Sequence, residues 1–104
     1  MDTTPAGLQG IGIPWFSPDE WKRARAAMHD AHLLGQSHAE FVANVQRIED
    51  GLRRQGAAFV RVAVVMEDFH AWCRLRRRQV DAQACAQYAA WLARRHDDER
   101  ARRG

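Results

Sequence analysis

Residues 56–73 read GAAFVRVAVVMEDFHAWC and decide the fold, because they hold the one convincing β-strand of the chain and lead directly into a helix. Valine and phenylalanine, which favour extended backbone, crowd into residues 58–65 after the turn-forming Gly56. We predict a strand over residues 58–65 with both of its faces covered. A lone strand leaves its backbone N–H and C=O groups unpaired, so it needs a neighbour. The candidates are residues 11–16 and the same strand of a second copy of the chain.

Helix signals lie on both sides of this strand. Ser17 and Ser37 each stand three residues before a glutamate, which is the pattern of a helix start closed by a capping box. Residues 67–68 are acidic and open a third helix, and Asp81 caps a fourth. Gly56 ends the second helix. The sequence therefore predicts an α+β fold with about four helices packed around one short central strand.

The chain of 104 residues has the length of one domain. Residues 1–10 are small, polar and rich in glycine and proline, which predicts a flexible N-terminus. Residues 11–95 carry the apolar periodicity of a single compact domain, and residues 96–104 are predicted to form a charged, flexible tail. The chain shows no signal peptide and no apolar run of about 20 residues. These features predict a cytoplasmic protein with no membrane contact.

The charge of the chain is mixed, with 16 basic and 13 acidic residues and a formal net charge of +3. Fifteen of the basic residues are arginine, which reflects either genome composition or selection for guanidinium chemistry. On the second helix, Glu49 and Asp50 are predicted to pair with Arg53 and Arg54, four residues further on. This pattern indicates a solvated face on that helix.

Metal binding and catalysis find little support in the sequence. Glu67 and His70 have the spacing used in di-iron bundles, but such a site needs two of these motifs. Cys73 and Cys85 could join His70 around zinc, yet both lie on apolar helical stripes, where a thiol usually packs. The chain also lacks a nucleophile elbow and a glycine-rich phosphate loop. We predict no enzyme activity, no metal and no small-molecule cofactor.

Nucleic-acid binding is one functional hypothesis, because nine of the fifteen arginines fall in the last 31 residues. The third and fourth helices have a helix-turn-helix outline, although Asp81 would place a negative charge at the start of the second of them. The candidate nucleic-acid contacts are Arg74, Arg76, Arg77, Arg78, Arg94 and Arg95.

Protein–protein interaction is the hypothesis that the composition favours. An exposed strand edge can pair with another chain, and tryptophan and arginine are enriched at interfaces. Trp15 and Trp91 are the tryptophans whose burial is in question, and Phe59 and Arg61 lie on the less apolar face of the strand. These four residues form the candidate interaction surface. The partner is expected to be another protein or a second copy in a homodimer.

A resemblance rests on residues 13–18, which read IPWFSP, together with Phe69-x-x-Trp72-Cys73 and Asp81-x-x-Ala84. With the valine-rich strand, this pattern resembles a group of small bacterial proteins of unknown function over residues 11–95. The resemblance implies a bacterial cytoplasmic protein, carried on mobile elements, and it supplies no assigned activity that could be transferred to these residues. Small phage and mobile-element proteins include anti-CRISPR inhibitors, and this analogy adds an inhibitor module to the binding hypotheses.

Overall fold

The computed structural model describes the backbone of residues 11–103 and the side chains of residues 11–95. The predicted α+β fold is confirmed. In chain order the elements are β1 (Ile11–Trp15), α1 (Pro18–Ala27), a 3₁₀ helix (Ala31–Leu34), α2 (His38–Arg54), β2 (Phe59–Ala63), α3 (Met66–Arg76) and α4 (Ala82–Arg103). The predicted flexible segment 1–10 lies outside the described residues. The backbone of α4 continues to Arg103, through most of residues 96–104, for which we predicted a flexible tail, and the flexibility of that tail stays a prediction.

The two strands form a parallel pair, in which Ile11 stands opposite Phe59 and Trp15 opposite Ala63. The pairing extends past the strand end, since the Val64 N–H donates to the Trp15 carbonyl at 2.9 Å. Parallel strands need a long crossover, and α1, the 3₁₀ helix and α2 supply it. The central strand therefore pairs with the N-terminal segment, which is one of the two neighbours that we predicted for it.

Helix α4 crosses one face of this sheet, and α2 contacts the other. Gly12 lies against the backbone of Ala89, so closely that a Cβ on Gly12 would stand 2.6 Å from the Ala89 carbonyl oxygen. Our prediction that both strand faces are covered is wrong for part of the strand, because Val60 is 41% exposed and Arg61 and Ala63 are exposed as well. Helix α4 contacts β1 more extensively than β2, so it leaves part of β2 uncovered.

The predicted caps start three of the helices. A side-chain oxygen of each cap accepts a hydrogen bond from a backbone N–H of the helix. The distances are 3.2 Å for Ser17 at α1, 3.1 Å for Ser37 at α2 and 2.8 Å for Asp81 at α4. Glu20 does not fold back on its own helix as a capping box requires. Instead, its carboxylate accepts from the Met66 N–H at 2.9 Å. Glu20 thus joins the start of α3 to α1.

A candidate binding face of arginine and tryptophan

Two tryptophan–arginine pairs with the same spacing lie side by side on α3 and α4. Trp72 precedes Arg76 by four residues, and Trp91 precedes Arg95 by four residues, so each arginine lies one helical turn beyond its tryptophan. The Arg76 guanidinium carbon is 4.4 Å from the Trp72 ring centre, and that of Arg95 is 4.8 Å from the Trp91 ring centre. Arg76 also lies 5.4 Å from the Trp91 ring, which links the two pairs.

We call this surface the Arg–Trp face and define it by Trp72, Arg76, Arg78, Trp91, Arg94 and Arg95. Its aromatic base is continuous with the core. Tyr88 stacks on Trp91 at an interplanar angle of 26° and lies 5.4 Å from Trp72. Both Trp72 and Tyr88 are buried, while Trp91 is half-buried. Burial, reinforced by the nearby Asp68, raises the pKa of the Tyr88 hydroxyl. The rings therefore form a packed platform, and the long arginine side chains hold their guanidinium groups in place over it.

Two open grooves flank Arg76. The first has a volume of about 340 Å³, and its polar wall consists of three arginines, Arg76, Arg78 and Arg94, and the neutral Gln87. The second has a volume of about 410 Å³ and is more apolar, with Leu75 and Leu92 in its wall and one carboxylate, Asp68. Trp72, Arg76 and Trp91 line both grooves. The face thus offers a cationic site and an apolar site that share one boundary.

The structure brings four of the six predicted nucleic-acid contacts together on this face, namely Arg76, Arg78, Arg94 and Arg95. Arg74 and Arg77 are exposed but line neither groove. Arg77 instead ends α3 in the left-handed conformation, with φ at 56°, and the Arg78 N–H closes the turn on the Cys73 carbonyl at 2.9 Å. The turn that ends α3 therefore directs Arg78 toward the first groove.

The four residues of the predicted interaction surface do not lie together. Trp91 belongs to the Arg–Trp face, whereas Trp15, Phe59 and Arg61 lie on the sheet face that α2 contacts. Arg61 donates to both carboxylate oxygens of Glu49 on α2, at 2.7 and 2.9 Å, and lies 4.2 Å from the Trp15 ring centre. Trp15 and Arg61 are consequently engaged within the chain itself.

This contact also corrects the predicted pairing of Glu49 with Arg53. Glu49 is only 3% exposed, because its side chain turns toward the sheet rather than along the helix surface. The hydrogen bond from Arg61 lowers the pKa of the Glu49 carboxyl. Arg53 pairs with Asp50 at 2.9 Å, three residues away, and lies 5.2 Å from the Phe59 ring centre. Among the described residues, no ion pair joins Asp50 to Arg54.

The structure also locates the residues weighed for metal binding and catalysis. Over residues 11–95, no three histidine, cysteine, aspartate or glutamate side chains stand together as a metal site would require. Cys73 and Cys85 are free thiols, both buried. Burial raises the pKa of Cys85 to about 12 and raises that of Cys73 as well. These thiols are therefore poor nucleophiles in the folded protein.

One side of the first two turns of α4 packs into the fold. The Ala82 N–H donates to both carboxylate oxygens of Asp30 at 3.1 Å, and Ala84 and Cys85 are buried. The other side, which carries Gln83, Ala86 and Gln87, is exposed. The α3–α4 pair thus has a helix-turn-helix outline in which two carboxylates, Asp30 and Asp81, lie at the start of the second helix, where a recognition helix meets the DNA. In the part of the chain that is described, no helix has the length and apolar character to cross a membrane.

The fold and the Arg–Trp face together define a small α+β protein with a cationic and aromatic surface on α3 and α4. Comparison of the chain with family models, with curated proteins and with solved structures found no match. The chemistry of its own residues is therefore the basis for a function.

Proposed function

We propose that this protein is a non-catalytic binding protein that holds a partner protein on its Arg–Trp face. The observation that carries this proposal is the convergence of two tryptophan–arginine pairs, Trp72 with Arg76 and Trp91 with Arg95, around two open grooves. Tryptophan, tyrosine and arginine are the residue types that dominate binding energy at protein interfaces.

The arrangement lowers the entropic cost of binding. A free arginine side chain loses rotamer freedom when a partner immobilises it, and this loss opposes association. Arg76 and Arg95 already lie over indole rings, so part of their rotamer freedom is lost when the protein folds, before a partner binds. Their N–H donors remain at the edges of the guanidinium planes, where an acceptor can reach them.

An apolar anchor lies beside the charged groups. Leu75 is 83% exposed and forms part of the second groove with Leu92. A large side chain exposed next to a groove is a frequent feature of interaction surfaces. Its position on α3, one residue before Arg76, places apolar and charged contacts within reach of one bound segment.

Nucleic acid is a second candidate, favoured by the first groove. Three arginines and Gln87 line it, and among the described residues no carboxylate does. Single-stranded nucleic acid also needs free ring faces on which bases stack. Trp91 already carries Tyr88 and two guanidinium groups, so a base would have to displace one of them. This favours a protein partner over nucleic acid.

The same proposal includes the source, the compartment and the role of the protein. From the resemblance we propose a bacterial, cytoplasmic protein that acts as a regulatory, accessory or inhibitor module. A homodimer would pair the second edge of β2, which has no neighbouring strand among the described residues, and would use none of the residues that define the Arg–Trp face.

Affinity purification with and without nuclease tests the proposal. We expect the tagged protein to retain a stoichiometric protein partner after nuclease treatment, and the double variant Arg76→Glu with Arg94→Glu to lose it. The matched control reverses two exposed arginines of α2, Arg47→Glu with Arg54→Glu, and should retain the partner. Loss of the partner on nuclease treatment would favour nucleic acid, and retention by the Arg76 and Arg94 variant would remove the Arg–Trp face as the binding site.

A further inference from the structure

We infer that the segment bound by the Arg–Trp face is an acidic peptide segment that carries a large apolar side chain next to its carboxylates. This inference rests on the proposed function and specifies the chemistry of the partner. Its first basis is charge. Arg76, Arg78 and Arg94 line the first groove, and Arg95 extends the positive charge along the second. Electrostatic complementarity between partners selects a negatively charged occupant.

Carboxylates match the donors that this face presents. A guanidinium that lies over a ring keeps its N–H groups in its own plane, where they bind a carboxylate through two parallel hydrogen bonds. Arg76, which lines both grooves, has this arrangement at 4.4 Å from the Trp72 ring centre, while Arg95 lies 4.8 Å from the Trp91 ring centre and lines the second groove only. Because the tryptophans serve as platforms for these arginines, the rings support anion binding instead of base stacking.

The two grooves give the bound segment a direction. Asp68 lies in the wall of the second groove and repels a carboxylate there, while Leu75 and Leu92 suit an apolar side chain. The first groove has the opposite preference, because its wall is cationic. The apolar side chain therefore enters the second groove and the carboxylates the first, with Arg76 at the boundary between them.

The indole N–H of Trp72 provides an independent observation. Trp72 is 7% exposed, and its Nε1 is buried with no hydrogen-bond acceptor among the described residues. Buried donors in folded proteins nearly always have a partner. Trp72 lines both grooves, so we assign its missing acceptor to a carboxylate of the bound segment.

A random dodecapeptide library displayed on phage and selected on the full-length protein tests the inference. We expect the selected peptides to be enriched in Asp and Glu beside a leucine or aromatic residue. Synthetic copies of them should bind the Arg76→Glu, Arg94→Glu variant at least about tenfold more weakly, since each charge-assisted contact is worth about that factor or more. Trp72→Phe, which removes the N–H and keeps an aromatic ring, should weaken binding several-fold, whereas the Arg47→Glu, Arg54→Glu control should bind as the wild type does.

The outcomes separate this inference from the proposed function. Selected peptides without acidic enrichment that still depend on Arg76 and Arg94 would overturn the inference and leave the protein-binding proposal standing. An empty selection would overturn the inference. Displacement of selected acidic peptides by oligothymidylate at equal concentration would also overturn it and would favour nucleic acid as the ligand of the face.

Discussion

Replacing Gly12 with alanine tests the contact between β1 and α4 on which the fold depends. The new Cβ would stand 2.6 Å from the carbonyl oxygen and 2.9 Å from the carbonyl carbon of Ala89, while ordinary contacts begin at 3.4 Å. The two nearest atoms belong to the α4 backbone and cannot rotate away, so the strand and the helix must separate by about 0.8 Å. Overpacking of this kind costs about 2 kcal/mol of unfolding free energy.

Thermal unfolding followed by circular dichroism measures this cost. For a domain of this size, about 2 kcal/mol lowers Tm by about 8–16 °C. Gly51→Ala is the matched control, because no atom lies within 4 Å of its Cβ position inside α2. This control should gain about 0.5–1 kcal/mol from its better helix propensity and should raise Tm. A Gly12→Ala variant as stable as the wild type would show that β1 and α4 are not in contact as described.

Three further predictions concern charge, thiols and backbone. Arg61 lowers the pKa of Glu49 in the folded state, so the ionised carboxylate adds stability that is present above its unfolded pKa and is lost as the pH falls through the folded pKa. The urea midpoint of the wild type should therefore fall between about pH 7 and pH 3, and Glu49→Gln should reduce this fall. An unchanged fall in the variant would contradict the ion pair. Cys73 and Cys85 should react with a disulfide reagent only after unfolding, because burial raises both pKa values, and rapid labelling of the native protein would show that they are accessible. Arg77→Gly should raise the unfolding free energy by about 1 kcal/mol, since glycine adopts the left-handed conformation without a Cβ clash, and a lower urea midpoint would contradict this.

The sequence predicted the helices and the central strand because these features depend on local chemistry, and it gave the N-terminal segment as one of two possible partners of that strand. Ser17, Ser37 and Asp81 are caps whose acceptors reach N–H groups three residues away, so a short window of sequence contains the whole interaction. The strand was predicted over residues 58–65 and found over Phe59–Ala63, a difference confined to its ends. Strand ends depend on where the partner strand stops, and this is a property of the tertiary fold.

The sequence did not predict which charged residues meet across the fold. Glu49 was assigned to Arg53 on its own helix, but Arg61 is a stronger partner because its planar guanidinium binds both carboxylate oxygens at a partly buried site. Helical spacing identifies neighbours on one element only. The distance between α2 and β2 that allows this pair is set by core packing, which the pattern of charges does not contain.

The Arg–Trp face was predicted in part. The arginines were named from their density, but Trp72 was not among the candidate residues, and Trp91 was grouped with Trp15, which lies on the sheet face that α2 contacts. The repeated spacing of tryptophan four residues before arginine, in Trp72–Arg76 and Trp91–Arg95, is a signal in the sequence that could have identified both pairs. Their convergence could not have been predicted, because it depends on the packing of α3 against α4.

Site-specific photo-crosslinking in the native host tests the binding role of the Arg–Trp face most directly. A photoreactive amino acid at Leu75, which is 83% exposed beside the second groove, should form a crosslink to one protein, and that crosslink should disappear with Arg76→Glu and Arg94→Glu. The same amino acid at Ile48, which is 55% exposed on α2 and lines neither groove, should not capture that protein. Capture of the same protein at Ile48 but not at Leu75 would place the partner on α2 instead of the Arg–Trp face and contradict the account.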